Sequence, residues 1–129
     1  MQKITRSKNL AIVIFAYDRP DHFERTIDSV LKQRAICNVD FFIFIDGPKL
    51  FKDESNTKKI VNISNCKLEG KSYSITVRPI NIGLKASILL GVTQVFETHD
   101  RAVILEDDLE LKEGGLAFFE SALDKYKSD

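Results

Sequence analysis

Glu106-Asp107-Asp108 places three carboxylates in a row, directly after the apolar run Ala102-Val103-Ile104-Leu105. Carboxylates held that close repel one another unless a cation or hydrogen-bond donors offset their charge. Hard divalent ions such as Mg²⁺ take oxygen from one or two carboxylates and complete their shell with phosphate and water. The apolar run reads as a strand covered on both faces of a parallel sheet. Such strands open at their C-terminal ends onto the crevice where α/β sheets bind ligands. The triplet therefore predicts a metal–diphosphate site. The plainer alternatives are a solvated acidic loop or the acidic first turn of a following helix.

Other segments offer partners for that site. Tyr17-Asp18-Arg19-Pro20 follows the apolar run Leu10–Ala16. The Arg19 guanidinium matches phosphate geometry. As a plain surface residue at a helix start it would oppose the helix dipole, and a nearby anion would remove that conflict. Asp18 reads as a helix N-cap. Asp46 ends Phe41–Ile45 and precedes Gly47-Pro48. It is either a turn aspartate or an acceptor for a base N–H. Lys85, just after Asn81-Ile82-Gly83, repeats the dipole conflict of Arg19 and is otherwise a solvated lysine. Gly83 allows either close backbone approach to a ligand or a tight turn. His22 and His99 read as ordinary surface residues.

The elements that must position these groups alternate strand and helix. Leu10–Ala16 reads as a buried strand, and Pro20 opens a helix to about Arg34 with Phe23, Ile27, Val30 and Leu31 at helical spacing. Phe41–Ile45 is the second strand, followed by a polar, mobile stretch, Lys49–Asn56. Thr57–Cys66 is a short helix and Ser72–Val77 a half-exposed strand. Pro79–Gly83 is a loop. Leu84–Glu97 is an amphipathic helix, with Leu84, Ile88, Val92 and Phe96 as its core stripe. Ala102–Leu105 is the fourth strand. After Gly114-Gly115 a last helix runs Leu116–Tyr126. The order βαβαβαβα predicts an α/β fold, a three-layer, mostly parallel Rossmann-like sheet with right-handed crossovers.

Composition narrows the class. The 129 residues suffice for a single domain, 1–129. Nineteen basic residues balance nineteen acidic ones, so no global charge attracts nucleic acid or an anionic membrane. The cluster Lys3, Arg6, Lys8 reads as a solvated, partly frayed terminus. Cys37 and Cys66 form neither a disulfide framework nor a zinc pattern. They read as small hydrophobes in a reducing compartment. The sequence has neither a membrane-span-length apolar stretch nor a signal-peptide core, which predicts a cytoplasmic location.

The motifs AIVIFAYDRP, FFIFIDGP, NIGLKASILLGV and RAVILEDDLEL, in this order, resemble GT-A-fold glycosyltransferases. The resemblance is to family-2-like enzymes and to N-acetylglucosaminyltransferases with a Glu-Asp-Asp form of the DXD motif. It covers Leu10 to about Tyr126. It implies transfer of a sugar from a nucleotide-diphospho-sugar, UDP-linked by the likeness at Asp46, to an acceptor hydroxyl. By this resemblance Asp108 ligates Mn²⁺ or Mg²⁺ on the donor diphosphate. Glu106 lies near the ribose, Asp107 near the sugar or metal shell, Asp46 at the uracil and Arg19 at the diphosphate. Lys85 is a weaker match.

The resemblance also implies sheet order 3-2-1-4 and a general base from a later segment than this chain carries, since Glu110 and Glu113 stand too close to the motif. The catalytic residue is therefore unknown. The expectation is a donor-binding part that lacks the acceptor half and has little or no activity alone. Its fourth strand would be an exposed edge and pair with a second copy as a homodimer. Two alternatives compete: a non-catalytic nucleotide-binding or assembly module, and a receiver-like phosphoacceptor domain. The second fits less well, because it wants an acidic pair after the first strand and a fifth-strand lysine.

Overall fold

The computed structural model describes residues 6–33 and 38–117. Lys3, Cys37, the expected helix end at Arg34 and most of the expected Leu116–Tyr126 helix lie outside the described residues.

The fold is α/β. Strands β1 (Leu10–Ala16), β2 (Val39–Ile45), β3 (Ser72–Val77) and β4 (Ala102–Glu106) form one sheet of order β3-β2-β1-β4. Every pairing is parallel. Helices α1 (Pro20–Leu31), α2 (Glu54–Lys67) and α3 (Leu84–Phe96) cover the faces. This is a Rossmann-like three-layer arrangement in the order the motifs implied.

Alternation along β1 divides the core. Leu10, Ile12 and Ile14 pack with Phe23, Ile27 and Val30 of α1 and Ile60 of α2. Ala11, Val13 and Phe15 face the other way, against Val95 of α3 and Phe44 of β2. Both faces of β1 are buried along its whole length, as expected of a central parallel strand.

Several expectations are corrected. Lys49–Asn56 is not a featureless mobile stretch: a 3₁₀ turn at Phe51–Asp53 runs directly into α2 at Glu54. The turn bonds Asp53 N–H to Leu50 O, and the Tyr17 phenol ties Asp53 to the chain entering it. Helix α3 packs only the middle of the stripe Leu84, Ile88, Val92, Phe96: Ile88 and Val92 lie partly buried against the core, and the two ends do not. Its buried positions are Ser87, Gly91 and Val95, while Leu84 is 53% and Phe96 40% exposed. Gly91 sets this rotation, because a Cβ there would lie 2.7 Å from the Phe15 ring and 3.2 Å from Phe44. Only a glycine lets the helix sit that close to the stacked pair.

Among the described residues strand β4 is fully covered on one face and only partly on the other, where Ala102 packs against the core. Val103 and Leu105 are buried, whereas Ile104, beside Val13 on the α3 face, is 40% exposed. Among the described residues α3 is the one helix on that face, and it does not reach across all four strands.

At the N-terminal end of the sheet, His99 is not a surface residue. It is 5% exposed and its Nε2 lies 2.7 Å from Asp40 Oδ2, with Nδ1 2.8 Å from Thr98 Oγ1. Arg6 is not frayed either. It donates to the His99 and Glu97 carbonyls and pairs with Asp100, closing the C-terminal end of α3. Cys66 is a free, exposed thiol. It projects from the outer side of α2, whose buried residues are Ile60 and Ser64, so it does not pack as the small hydrophobe expected.

Candidate functional site

In a parallel sheet all strand C-termini point to one edge, and the chain reverses there into the helices. On that edge lies a cavity of ≈ 310 Å³. It is lined from β1 and its turn by Phe15–Arg19, from the β2 end by Asp46 and Lys49, and from the β4 end by Glu106, Asp107 and Asp108. Asn81, Gly83, Leu84 and Ser87 close it from the α3 side. Segments far apart in sequence thus meet because β1 lies between β2 and β4.

The acidic wall is built by register. Glu106, the last residue of β4, pairs with Phe15 of β1. The next two residues turn back across the top of β1. There Asp107 Oδ2 accepts from Tyr17 N–H at 3.4 Å, and Asp107 O accepts from Thr26 Oγ1 of α1 at 3.0 Å. Burial raises the Asp107 carboxyl above its ordinary value. The Tyr17 N–H, Arg19 and His22 pull it down, and the charge of Asp108 adds to the rise. His22 therefore stands near the acids, which its isolated place in the sequence did not signal.

Tyr17 does more than donate its N–H. Its hydroxyl accepts from Lys49 N–H at 3.0 Å and donates to Asp53 Oδ2 at 3.2 Å. Its pKa is raised, chiefly by burial and further by Asp53, against the Lys49 hydrogen bond. The phenol so fixes the loop that carries Lys49 to the cavity.

Asp46 has a role its sequence position did not disclose. Oδ1 accepts from the N–H groups of Gly47 at 2.8 Å and Ile82 at 2.9 Å, and Oδ2 accepts from Gly83 at 2.9 Å. The carboxylate is 7% exposed and binds the loop before α3 to the end of β2. Gly47 makes that contact possible, since a Cβ there would lie 2.2 Å from Ile80 C. Asn81 Nδ2 completes the junction by donating to Gly47 O. Gly83 adopts φ 87°, which a side chain would strain.

Among the expected residues the cavity joins Tyr17, Arg19, Asp46, Gly83, Glu106, Asp107 and Asp108. Both Lys49 and Lys85 are exposed, but only Lys49 belongs to the cavity lining. Asp18 lines the cavity but is not the N-cap of α1. That position is Arg19, with Pro20 following and no side-chain cap.

Among the described residues no group of three or more His, Cys, Asp or Glu side chains is arranged to hold a metal ion unaided. Asp107 and Asp108 beside Arg19 and Lys49 fit a different donor set, in which one or two carboxylates share a hard cation with phosphate oxygens. No helix among the described residues is long and apolar enough to cross a membrane. No family model matches the chain, and no curated protein matches it.

Proposed function

We propose that this chain is the donor-binding part of a metal-dependent glycosyltransferase. It takes a nucleotide-diphospho-sugar, a UDP-sugar on the family likeness of the motifs, for transfer to an acceptor hydroxyl. The observation that carries this reading is the meeting of Arg19, Lys49 and Glu106-Asp107-Asp108 around one cavity at the strand C-termini.

Such a cavity presents two kinds of charge to one ligand. Arg19 and Lys49 pair with diphosphate oxygens, Arg19 in fork geometry and Lys49 as a point charge. Asp108, with Asp107 beside it, would hold Mn²⁺ or Mg²⁺ on the same diphosphate. When bound, the ion supplies Lewis-acid neutralisation of charge on the leaving diphosphate. Tyr17 and Thr26 hold the backbone and carboxyl of Asp107 in place. Asp46 fixes the α3 entry loop, so the Gly83 backbone forms a rigid wall. The general base and the acceptor site are not assigned to any residue.

β4 is a sheet edge among the described residues, with Ile104 partly bare on one face. An unpaired, partly apolar edge favours strand addition. The reading therefore includes pairing with a second copy through β4.

Calorimetric titration of UDP, with and without Mn²⁺, into the wild-type chain and Asp108→Ala tests the donor site. Metal-dependent binding that is lost in the variant supports it. Absence of UDP binding in the wild-type chain overturns the UDP assignment, and absence of binding to CDP, GDP and ADP as well overturns the donor site.

A further inference from the structure

Ser87 differs from the other helical hydroxyls for which the structure gives a partner. A serine or threonine inside a helix commonly bonds back to a carbonyl one turn earlier. Ser64 does so to Ile60 O at 2.8 Å, Thr93 to Leu89 O at 2.7 Å and Ser29 to Thr26 O at 2.7 Å. Ser87 Oγ has no partner, although the residue is only 4% exposed. An orphaned buried hydroxyl costs stability and calls for an explanation.

Its position supplies one. Ser87 lies one turn N-terminal to Gly91, on the face of α3 that presses onto Phe15 and Phe44. It lines the same cavity as Phe15, Ala16 and Asp46. This part of the cavity, below the first turn of α3, is flanked by the Phe15 ring. The Arg19 and Asp107-Asp108 part lies across β1 toward β4. The acceptor capacity of Asp46 is largely occupied by three backbone N–H groups. Ser87 Oγ is free both to donate and to accept.

We propose that Ser87, rather than Asp46, is the side chain that hydrogen-bonds the nucleoside half of the donor nucleotide, which lies at the α3 end of the cavity. This rests on the donor-site reading above. It divides the site: the nucleoside meets Ser87 beside Phe15, and the diphosphate meets Arg19, Lys49 and the acids. The unsatisfied hydroxyl is then a group kept for a ligand at the expense of the free protein's stability.

The test compares the wild-type chain with Ser87→Ala by calorimetry and thermal unfolding. The probes are UDP, CDP, GDP and ADP with Mn²⁺, and pyrophosphate with Mn²⁺. The expected result is about five- to tenfold weaker binding of the tightest nucleotide in the variant, the loss of roughly one hydrogen bond. Pyrophosphate affinity should be unchanged. The ligand-free unfolding midpoint should be no lower than wild type, since an orphan hydroxyl has been replaced by a methyl group. Unchanged nucleotide affinity, an equal fall for pyrophosphate, or a lower ligand-free midpoint would each overturn the assignment of Ser87 and leave the donor site standing. Failure of the wild-type chain to bind any of the four nucleotides would overturn the donor site and this assignment together.

Discussion

The Asp46 carboxylate holds the Gly83 N–H at 2.9 Å, joining the end of β2 to the start of α3 across a stretch of chain that includes all of α2 and β3. With the bonds to Gly47 and Ile82, the two oxygens satisfy three backbone donors in a nearly buried setting. Asp46 thus builds the wall on which Gly83, Leu84 and Ser87 are displayed.

Replacing Asp46 by Ala strips those donors of their acceptor. The expected loss is about 2–4 kcal/mol of folding stability, because desolvated N–H groups are left unpaired. Asp46→Asn keeps one acceptor oxygen and should lose less. Urea unfolding of both variants checks this, and an alanine variant as stable as wild type would refute the wall.

Gly47→Ala places a methyl group into the Ile80 backbone at 2.2 Å. Backbone cannot turn aside as a side chain can, so overpacking should cost about 1–3 kcal/mol or more. The Asn81–Gly47 bond should open with it. Chemical-denaturation midpoints and the exchange rate of the Ile82 and Gly83 amides report the two effects.

Arg19→Ala and Lys85→Ala should separate. Arg19 lines the cavity and Lys85 does not. The first variant should bind UDP·Mn²⁺ about tenfold or more weakly, the second within about twofold of wild type, as for a charge-assisted contact against a solvated one. Isothermal titration at fixed ionic strength distinguishes them. Equal losses would return Lys85 to the site.

The Asp40–His99 pair predicts a pH dependence. Burial pushes the Asp40 carboxyl up, but hydrogen bonds with His99, Ser72 and Asn9, with the charge of His99, outweigh it and leave the pKa lowered. A carboxyl lowered on folding contributes stability that is full above its unfolded value of 3.8. That contribution is lost as pH falls through the still lower folded value. Acid unfolding below about pH 4 should therefore be less steep in His99→Gln, which removes the principal partner. Denaturant midpoints between pH 2.5 and 6, conditions chosen to bracket that value, give the comparison.

If β4 pairs with a second copy, the chain should sediment as a concentration-dependent dimer, and Ile104→Lys should shift it to monomer. A charged residue on an edge strand blocks strand addition. A wild-type monomer at high protein concentration would rule the pairing out.

Much of the fold was legible locally. Leu10–Ala16 and Ser72–Val77 were read with the boundaries observed, because continuous or alternating β-branched and aromatic runs leave few other conformations. Pro20 marked the start of α1 for an equally local reason. The misreadings share a different cause. The buried face of α3 is set by Gly91 against two aromatic rings, and hydropathy alone favoured Leu84 and Phe96. Arg6 and His99 found partners on elements distant in sequence, which no spacing rule could pair.

The site divides along the same line. Alternation of strand and helix by itself determined a parallel α/β sheet, and that sheet sends Arg19, Asp46 and Glu106-Asp107-Asp108 to one edge, since every parallel strand ends on the same side. Which groups remain free there was decided by tertiary structure alone. Three backbone N–H groups from two separate turns occupy Asp46, the Tyr17 phenol holds the backbone of Lys49 at the cavity while Lys85 stays outside its lining, and the close seat of Gly91 buries Ser87 beside the cavity with its hydroxyl unbonded. Hydrogen-bond satisfaction is a property of what surrounds a group in space, and a sequence carries that only through the fold.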